Sequence, residues 1–246
     1  MTGEVLDVAR YREEGPSSEC GGGVRLRLHV SRCGRWAVVV QDRGRYGTVV
    51  DLTTGSPALE LDGGDYCCET VSFAFAEHNG RPVVVHRTDW NRLDVTGLAS
   101  GEVLTARDGP GRDEEDAEHD LDYFHGALSL SPDGARVHDG GRVWQPWGMP
   151  AVWSLTAWLH ENPYEPEDGP SLAVYPGVSE WNWPAVWIDG GRIAVYGRDD
   201  AGSGTVHVLD PTSVEPRSPG VRWIRAVAAF PWPVGDFGFP PTESIC

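Results

Sequence analysis

The sequence predicts an all-β fold built from repeated units of short antiparallel strands. Its 246 residues include 31 Gly and 19 Pro without a collagen-like period, which indicates many turns and few long helices. Apolar runs of strand length are cut by turn sequences, such as SPDG at 131–134 and DGG at 139–141. A hydrophobic fraction of 40% is enough for a sizeable core.

The same order of strands and turns recurs four times along the chain. The predicted units cover about residues 24–62, 71–106, 124–176 and 184–226. Asp51 and Asp94 lie in the third strands of the first two units and are 43 residues apart. That distance falls within the roughly 40 to 45 residues of a four-stranded propeller blade. We therefore predict a single β-propeller domain of about four blades.

The third unit carries an insertion, and the two ends of the chain carry spare strands. Trp158 and Leu159 are predicted to lie on a short helical turn that ends before Pro163. Partial strands are predicted at residues 2–7 and 234–239. Two interpretations follow: four blades close and leave two spare strands, or the propeller is open or truncated.

Several motifs carry a resemblance to a known class of proteins. SPDG before a strand, the turn D-x-x-T-G, and the stretches RTDWNRLDVTG (87–97) and LDYFHGALSLSPDGARV (121–137) resemble WD40-like propellers of bacteria, in particular an uncharacterised actinobacterial group. The resemblance covers about residues 26–210 and implies a degenerate WD40-like β-propeller that serves as a scaffold. The chain lacks the Gly-His pair and the Trp-Asp dipeptide of the standard repeat, so the hydrogen-bonded tetrad of standard blades is not expected.

Charge and composition restrict the classes of partner and the cellular location. The formal net charge of −17 disfavours binding to nucleic acid and to anionic membranes, whereas a cationic partner is compatible with it. The five cysteines show no C-x-x-C spacing, and the chain shows neither a signal peptide nor an apolar run long enough to span a membrane. We predict a cytoplasmic protein, with self-association through an open blade edge as one form of partnership.

Aromatic residues in predicted loops are the candidate binding residues. Adjacent sheets of a propeller pack through large aromatic side chains, which is one explanation of the 11 tryptophans. Aromatics in loops more often serve recognition. On that ground we predict Trp90, Trp147, Trp181 and Trp183 as protein-binding residues.

Two groups of residues have side chains of the kinds that bind metals. The acidic stretch at 113–122 lacks the Asp-x-Asp-x-Asp-Gly spacing of a calcium loop, so a solvated linker is the better interpretation. His119 and His125, with Asp120 and Asp122 between them, could contribute to a transition-metal site, but four ligands must converge. We prefer a structural His125 held by a turn carbonyl, and we predict no metal and no cofactor.

No reaction centre is recognisable in the sequence, because G-x-S-x-G and H-E-x-x-H are both absent. The favoured interpretation is a non-enzymatic protein-interaction or scaffold module with an unidentified protein partner and no catalytic residues.

Two alternatives remain open at the sequence level. The first is a hydrolase that uses carboxylates at the propeller axis, since Asp62, Asp65, Asp89 and Asp139 all lie in turns. The second is a truncated propeller fragment without independent function.

Overall fold

A computed structural model describes residues 25–64, 70–107, 122–143, 147–175, 183–198, 203–212, 222–223 and 228–231. The partial strands predicted at 2–7 and 234–239 lie outside these residues.

The first sheet has four antiparallel strands in the order β1-β2-β3-β4. Their bounds are Arg25–Val30, Trp36–Asp42, Tyr46–Asp51 and Ser56–Asp62. These four strands lie within the range 24–62 of the first predicted unit. Its turns are short because Gly34 and Gly55 adopt φ values of 71° and 70°, a region that favours glycine.

The second sheet has three antiparallel strands in the order β5-β6-β7. They span Phe73–His78, Arg81–Asp89 and Arg92–Gly97. The second predicted unit extends beyond β7 to residue 106, and residues 102–105 are the part of it where a fourth strand would complete the blade. In the structure this segment makes a single bridge, between Val103 and Thr96.

The third unit differs most from its prediction, because it divides into two sheets. β8 (Tyr123–Phe124), β11 (Arg142–Val143) and β12 (Trp147–Gly148) form a small sheet in the order β12-β11-β8. β9 (Leu128–Leu130), β10 (Arg136–Asp139), β13 (Ala151–Ser154) and β14 (Ala173–Val174) form the main one, called the third sheet below.

The predicted helical insertion is present between β13 and β14. It consists of α1 (Leu155–His160) and α2 (Glu165–Asp168). α1 begins after Ser154, whose hydroxyl accepts the N–H of Ala157 at 3.1 Å as an N-cap.

The fourth sheet has the order β15-β16-β17-β19. Its strands span Ala185–Trp187, Ile193–Arg198, Gly204–Leu209 and Ala228–Pro231. The fourth predicted unit ends at residue 226, and its last strand would lie directly before that residue. Instead, β18 (Arg222–Trp223) pairs in parallel with β14 and extends the third sheet, and Ala228–Pro231 pairs with β17.

Three hydrophobic cores join the four main sheets in chain order. One core packs the first sheet on the second, through residues such as Val38, Val49 and Val84. A second packs the second sheet on the third and on α1, and a third packs the third sheet on the fourth through Val152 and Ile193.

Strand alternation explains how each middle sheet serves two cores. On β6, Val83 and Val85 enter the second core while Val84 enters the first. On β13, Trp153 enters the second core and Val152 the third. Successive side chains of a strand point to opposite faces, so an unbroken apolar run is what a sheet covered on both sides requires.

This succession of sheets, packed face to face in chain order, is a degenerate β-propeller arrangement. Within the described residues, no hydrophobic core joins the fourth sheet to the first. An open or truncated propeller, one of the two interpretations of the sequence, is consistent with this. None of the described helices is long and apolar enough to span a bilayer.

Candidate functional site

A groove lies where the turns of the first three sheets converge. It has a volume of about 350 Å³ and is lined by residues 31–33 of the β1–β2 turn, 75–77 of β5 with Pro82 of β6, and 130–134 of the β9–β10 turn. We call it the turn groove. Its size is that of a small binding pocket.

The two turns that border the turn groove share one design. Each begins with a serine and has a glycine three residues later, namely Ser31 with Gly34 and Ser131 with Gly134. Each serine hydroxyl accepts the backbone N–H five residues on, at 3.0 and 2.9 Å, and each glycine has a φ near 70°. The hydroxyl thus holds the turn closed, which keeps the border of the groove rigid.

The third position of these turns is where they differ. Asp133 accepts a hydrogen bond from the Ser131 hydroxyl at 2.6 Å, and this bond, with the Ala135 N–H, lowers the carboxyl pKa. Cys33 takes the equivalent place beside Ser31, with 3.4 Å between sulfur and oxygen. Hydrogen bonding from Ser31 and then from the Arg35 backbone lowers the pKa of the thiol. The β1–β2 turn therefore has a thiol at the position where the β9–β10 turn has a carboxylate, at the edge of the groove.

The remaining groove residues combine an apolar wall with exposed charges. Phe75 is half-buried and packs edge-on against Phe73, with ring centroids 4.9 Å apart. Arg32 and Glu77 are exposed, and no ion pair engages either of them in the part of the chain that the structure describes. Known protein interfaces combine an apolar centre with a polar rim.

A buried histidine–aspartate pair lies away from the turn groove, in the third unit. His125 Nδ1 is 2.6 Å from Asp139 Oδ2, and the Gly126 N–H donates to Asp139 Oδ1 at 2.8 Å. A carboxylate therefore holds the His125 ring, and not the predicted turn carbonyl. Among the described residues, no group of three or more His, Cys, Asp or Glu could hold a metal ion. His119 and Asp120 lie outside the described residues.

A second buried polar pair joins the insertion to the second sheet's closing segment. Arg107 forms an ion pair with Glu167 of α2 and also donates to the Pro163 carbonyl. Burial raises the pKa of Glu167 to about 7, although the charges of Arg107 and His125 act in the opposite direction. The sequence did not predict this pair, because the sequence of an acidic insertion does not show whether its carboxylates are exposed to solvent or buried.

Three of the four carboxylates that motivated a hydrolase are engaged in local structure. Asp62 pairs with Arg45, and this contact lowers its pKa, the opposite of what a general acid requires. Asp89 accepts the Trp90 N–H at 2.8 Å, and Asp139 holds His125. Asp65 lies outside the described residues.

The structure places the four predicted tryptophans in different surroundings. Half-buried Trp90 packs on Phe124, with ring centroids 5.1 Å apart, at the end of β6 opposite the turn groove. Trp183 stacks against Tyr196 of the fourth sheet at 5.0 Å. The backbone of Trp147 lies in β12, and Trp181 lies outside the described residues. Their role in recognition stays a prediction.

Comparisons with known proteins assign no family to the chain. No protein-family model matches it, and no curated protein matches it significantly. Among solved structures it is similar to the dihydro-heme d1 dehydrogenase NirN in complex with DHE, at 13% identity and a TM-score of 0.45, covering 84% of this chain and 37% of that one.

Two further structures are similar to the same degree. The Cps50 (Swd1) β-propeller domain of Myceliophteria thermophila has 13% identity and a TM-score of 0.45, covering 83% of this chain and 59% of that one. A putative 6-phosphogluconolactonase from Bacteroides uniformis has 14% identity and a TM-score of 0.43, covering 87% and 60%. The chain thus spans less than two thirds of each structure. At these scores none of them assigns an activity or a partner.

Proposed function

We propose that this chain is a non-enzymatic protein-interaction module that binds a segment of a partner protein in the turn groove. The observation that carries the proposal is the groove itself, in which an apolar wall lies beside exposed charges at the junction of three sheets. Rigid turns border it, so little ordering is needed when a partner binds.

The charges favour a partner segment that presents an apolar and a cationic side chain together. Phe75 and Leu130 offer the apolar contact, while Glu77 and Asp133 supply two carboxylates on the rim. The formal net charge of −17 attracts a cationic segment from a distance and raises its association rate. Engagement of Asp62, Asp89 and Asp139 in local structure supports binding over carboxylate-based hydrolysis.

A peptide selection tests this proposal. A phage-displayed library of random peptides is selected on the immobilised full chain, and the affinity of enriched peptides is measured by fluorescence anisotropy. We expect a basic residue next to an apolar one, and binding about tenfold weaker to Glu77→Arg. The reversal removes an attraction of up to about 1 kcal/mol and adds a repulsion of similar size.

Asp122→Arg is the control, because Asp122 is also exposed but directly precedes β8, whose Phe124 packs on Trp90 at the end of β6 opposite the turn groove. Peptide affinity for this variant is expected to stay within about twofold of the wild-type value, since a distant exposed charge is largely screened. Equal affinity for all three proteins, or an equal loss in both variants, would refute the groove as the binding site. Failure to enrich any peptide would refute it as well.

A further inference from the structure

The first strand of the first sheet is an edge strand with exposed apolar side chains. Leu26, Leu28 and Val30 are 48%, 68% and 54% exposed, and among the described strands β1 pairs only with β2. The two middle strands of the same sheet, β2 and β3, are buried along almost their whole length. The edge of β1, rather than a face of the sheet, is therefore the surface that is open to a partner.

The hydrogen-bond register shows which backbone groups β1 presents at this edge. The Ser31 N–H, directly after β1, donates to the Trp36 carbonyl of β2 at 2.8 Å. Along an antiparallel pair, residues that bond to the neighbouring strand alternate with residues that do not. The N–H and C=O groups of Leu26, Leu28 and Val30 therefore point away from β2, to an edge that no other described strand occupies.

β1 is held firmly in its sheet, so this edge is preformed. The strand pairs with β2 along all six of its residues. Arg27, near the middle of β1, donates to the Asp42 carboxylate of β2 and to the Val71 carbonyl before β5, each at 2.8 Å. An added strand would therefore pair with β1 without first ordering it, which lowers the entropic cost of binding.

The opposite edge of the same sheet has features that prevent strand addition. β4 contains Pro57, which has no N–H to donate, and the charged side chains of Glu60 and Asp62. β1 has the sequence RLRLHV, without proline or an acidic residue, and Asp42 neutralises the charge of Arg27. A strand without acidic residues is also repelled less by a second copy of a chain whose net charge is −17.

The sequence of β1 is self-complementary for antiparallel pairing with its own copy. A two-fold axis beside Leu28 places Leu28 opposite Leu28 of the second copy and Leu26 opposite Val30. Each of the three residues that point to the edge then gains a bonded partner, and each of these pairs is apolar. The six side chains lie on one face of the joined sheets, where neighbouring chains remove apolar area from water.

The same register keeps like charges apart on the other face. Arg27 lies opposite His29 of the second copy, and Arg25 lies opposite Ser31. An axis beside Arg27 would instead set Arg27 against its own copy, which is unfavourable. An axis beside His29 would place Leu26 beyond the end of the partner strand. The register about Leu28 is therefore the one that the strand favours.

We propose that two copies of this chain associate edge to edge through β1, antiparallel and about a two-fold axis beside Leu28. The two four-stranded first sheets then form one continuous sheet. Because the net charge of −17 opposes association of like copies, the dimer should become tighter with added salt. This inference goes beyond the proposed function, because it uses the edge of β1 and not the turn groove.

The first test is size-exclusion chromatography of the full chain with light scattering, over a dilution series. Wild-type protein is expected at twice the 26.8 kDa of one chain. Leu28→Lys places two like charges directly opposite each other at the axis, so this variant is expected to be a monomer with a wild-type circular dichroism spectrum. Leu52→Lys is the matched control and is expected to stay a dimer, because Leu52 is also an exposed leucine of the first sheet but lies in the β3–β4 turn.

Disulfide cross-linking tests the register. In the proposed dimer the two Leu28 Cα atoms are about 5.5 Å apart, which a disulfide can bridge. The two Leu26 Cα atoms are displaced by four residues, or about 14 Å along the strands. Mild oxidation is therefore expected to give a covalent dimer of Leu28→Cys on a non-reducing gel. Leu26→Cys should give no more than wild-type protein, whose own five cysteines set the background.

Three outcomes overturn the proposal: wild-type protein that is monomeric throughout the dilution series, a dimer that survives Leu28→Lys, or equal cross-linking of the Leu26→Cys and Leu28→Cys variants. The first outcome would also result if another part of the chain or a different protein covers the edge of β1. Peptide binding in the turn groove is measured on the same samples. A wild-type monomer that retains peptide binding refutes the dimer and leaves the proposed function standing.

Discussion

Replacing Asp139 by Ala tests the buried pair of the third unit. Asp139 is 0% exposed, and its two oxygens accept from His125 Nδ1 at 2.6 Å and from the Gly126 N–H at 2.8 Å. Alanine leaves both groups buried without their acceptor. Each such group costs about 1 to 3 kcal/mol. We expect the free energy of unfolding to fall by about 3 to 5 kcal/mol.

Urea unfolding followed by tryptophan fluorescence measures this loss, and calorimetry gives the matching fall in Tm. For a chain of this size about 4 kcal/mol corresponds to roughly 8 to 16 °C. Asp139→Asn should lose less, because its amide oxygen can still accept the Gly126 N–H. This ordering separates the loss of hydrogen bonds from a general effect of removing a charge.

Asp210→Ala is the control for the same change at a solvated turn. Asp210 also follows a blade strand, but it is partly exposed and bonds its own turn, accepting the Thr212 N–H at 2.8 Å. Its loss should cost about 1 kcal/mol or less. If Asp139→Ala destabilised the chain no more than Asp210→Ala does, the reasoning about the buried pair would be refuted.

Three further predictions concern the core, a turn and pH. Trp153→Ala, at a residue 1% exposed, should lower the free energy of unfolding by about 3 to 5 kcal/mol in urea, and a loss below about 1 kcal/mol would contradict its place in the core. Gly134→Ala, at φ 72°, should cost about 1 to 2 kcal/mol in the same assay, whereas Gly191→Ala, which has no positive φ, should cost less. The pKa of Glu167 in the folded chain is about 7, above its ordinary value of 4.5. Between these two pH values the folded chain keeps a proton on Glu167 that the unfolded chain has lost. The free energy of unfolding should therefore fall as pH rises from 4.5 to about 7, by up to about 1.4 kcal/mol per pH unit. Glu167→Gln should flatten this part of a stability-against-pH curve, and an unchanged slope would show that the Glu167 carboxyl does not titrate there.

The stability experiments also bear on the truncated-fragment alternative. A chain that unfolds in one cooperative transition, with Trp153 and Asp139 variants shifted as expected, has an organised interior of its own. Non-cooperative unfolding would favour a fragment that needs further blades.

Local sequence determined the strands and turns wherever pairing is between neighbours in the chain. In the first unit, alternation and turn glycines predicted all four strands, because each pairs with the next across a short turn. The serine and glycine of the turn at 131–134 predicted its position for the same reason. Alternation within β6 also determined that neighbouring valines face opposite sides.

Tertiary structure alone decided the long-range features. Three features join residues that are far apart in sequence: the pairing of β18 with β14, the division of the third unit into two sheets, and the contact of Glu167 with Arg107. No local sequence pattern specifies which of several compatible strands or charged side chains will pair. The turn groove likewise arises from three turns separated by some fifty residues each. The sequence of a strand determines which side chains lie on each of its two faces. Packing among the sheets determines which of these faces and polar groups are buried and which surfaces remain accessible to a partner.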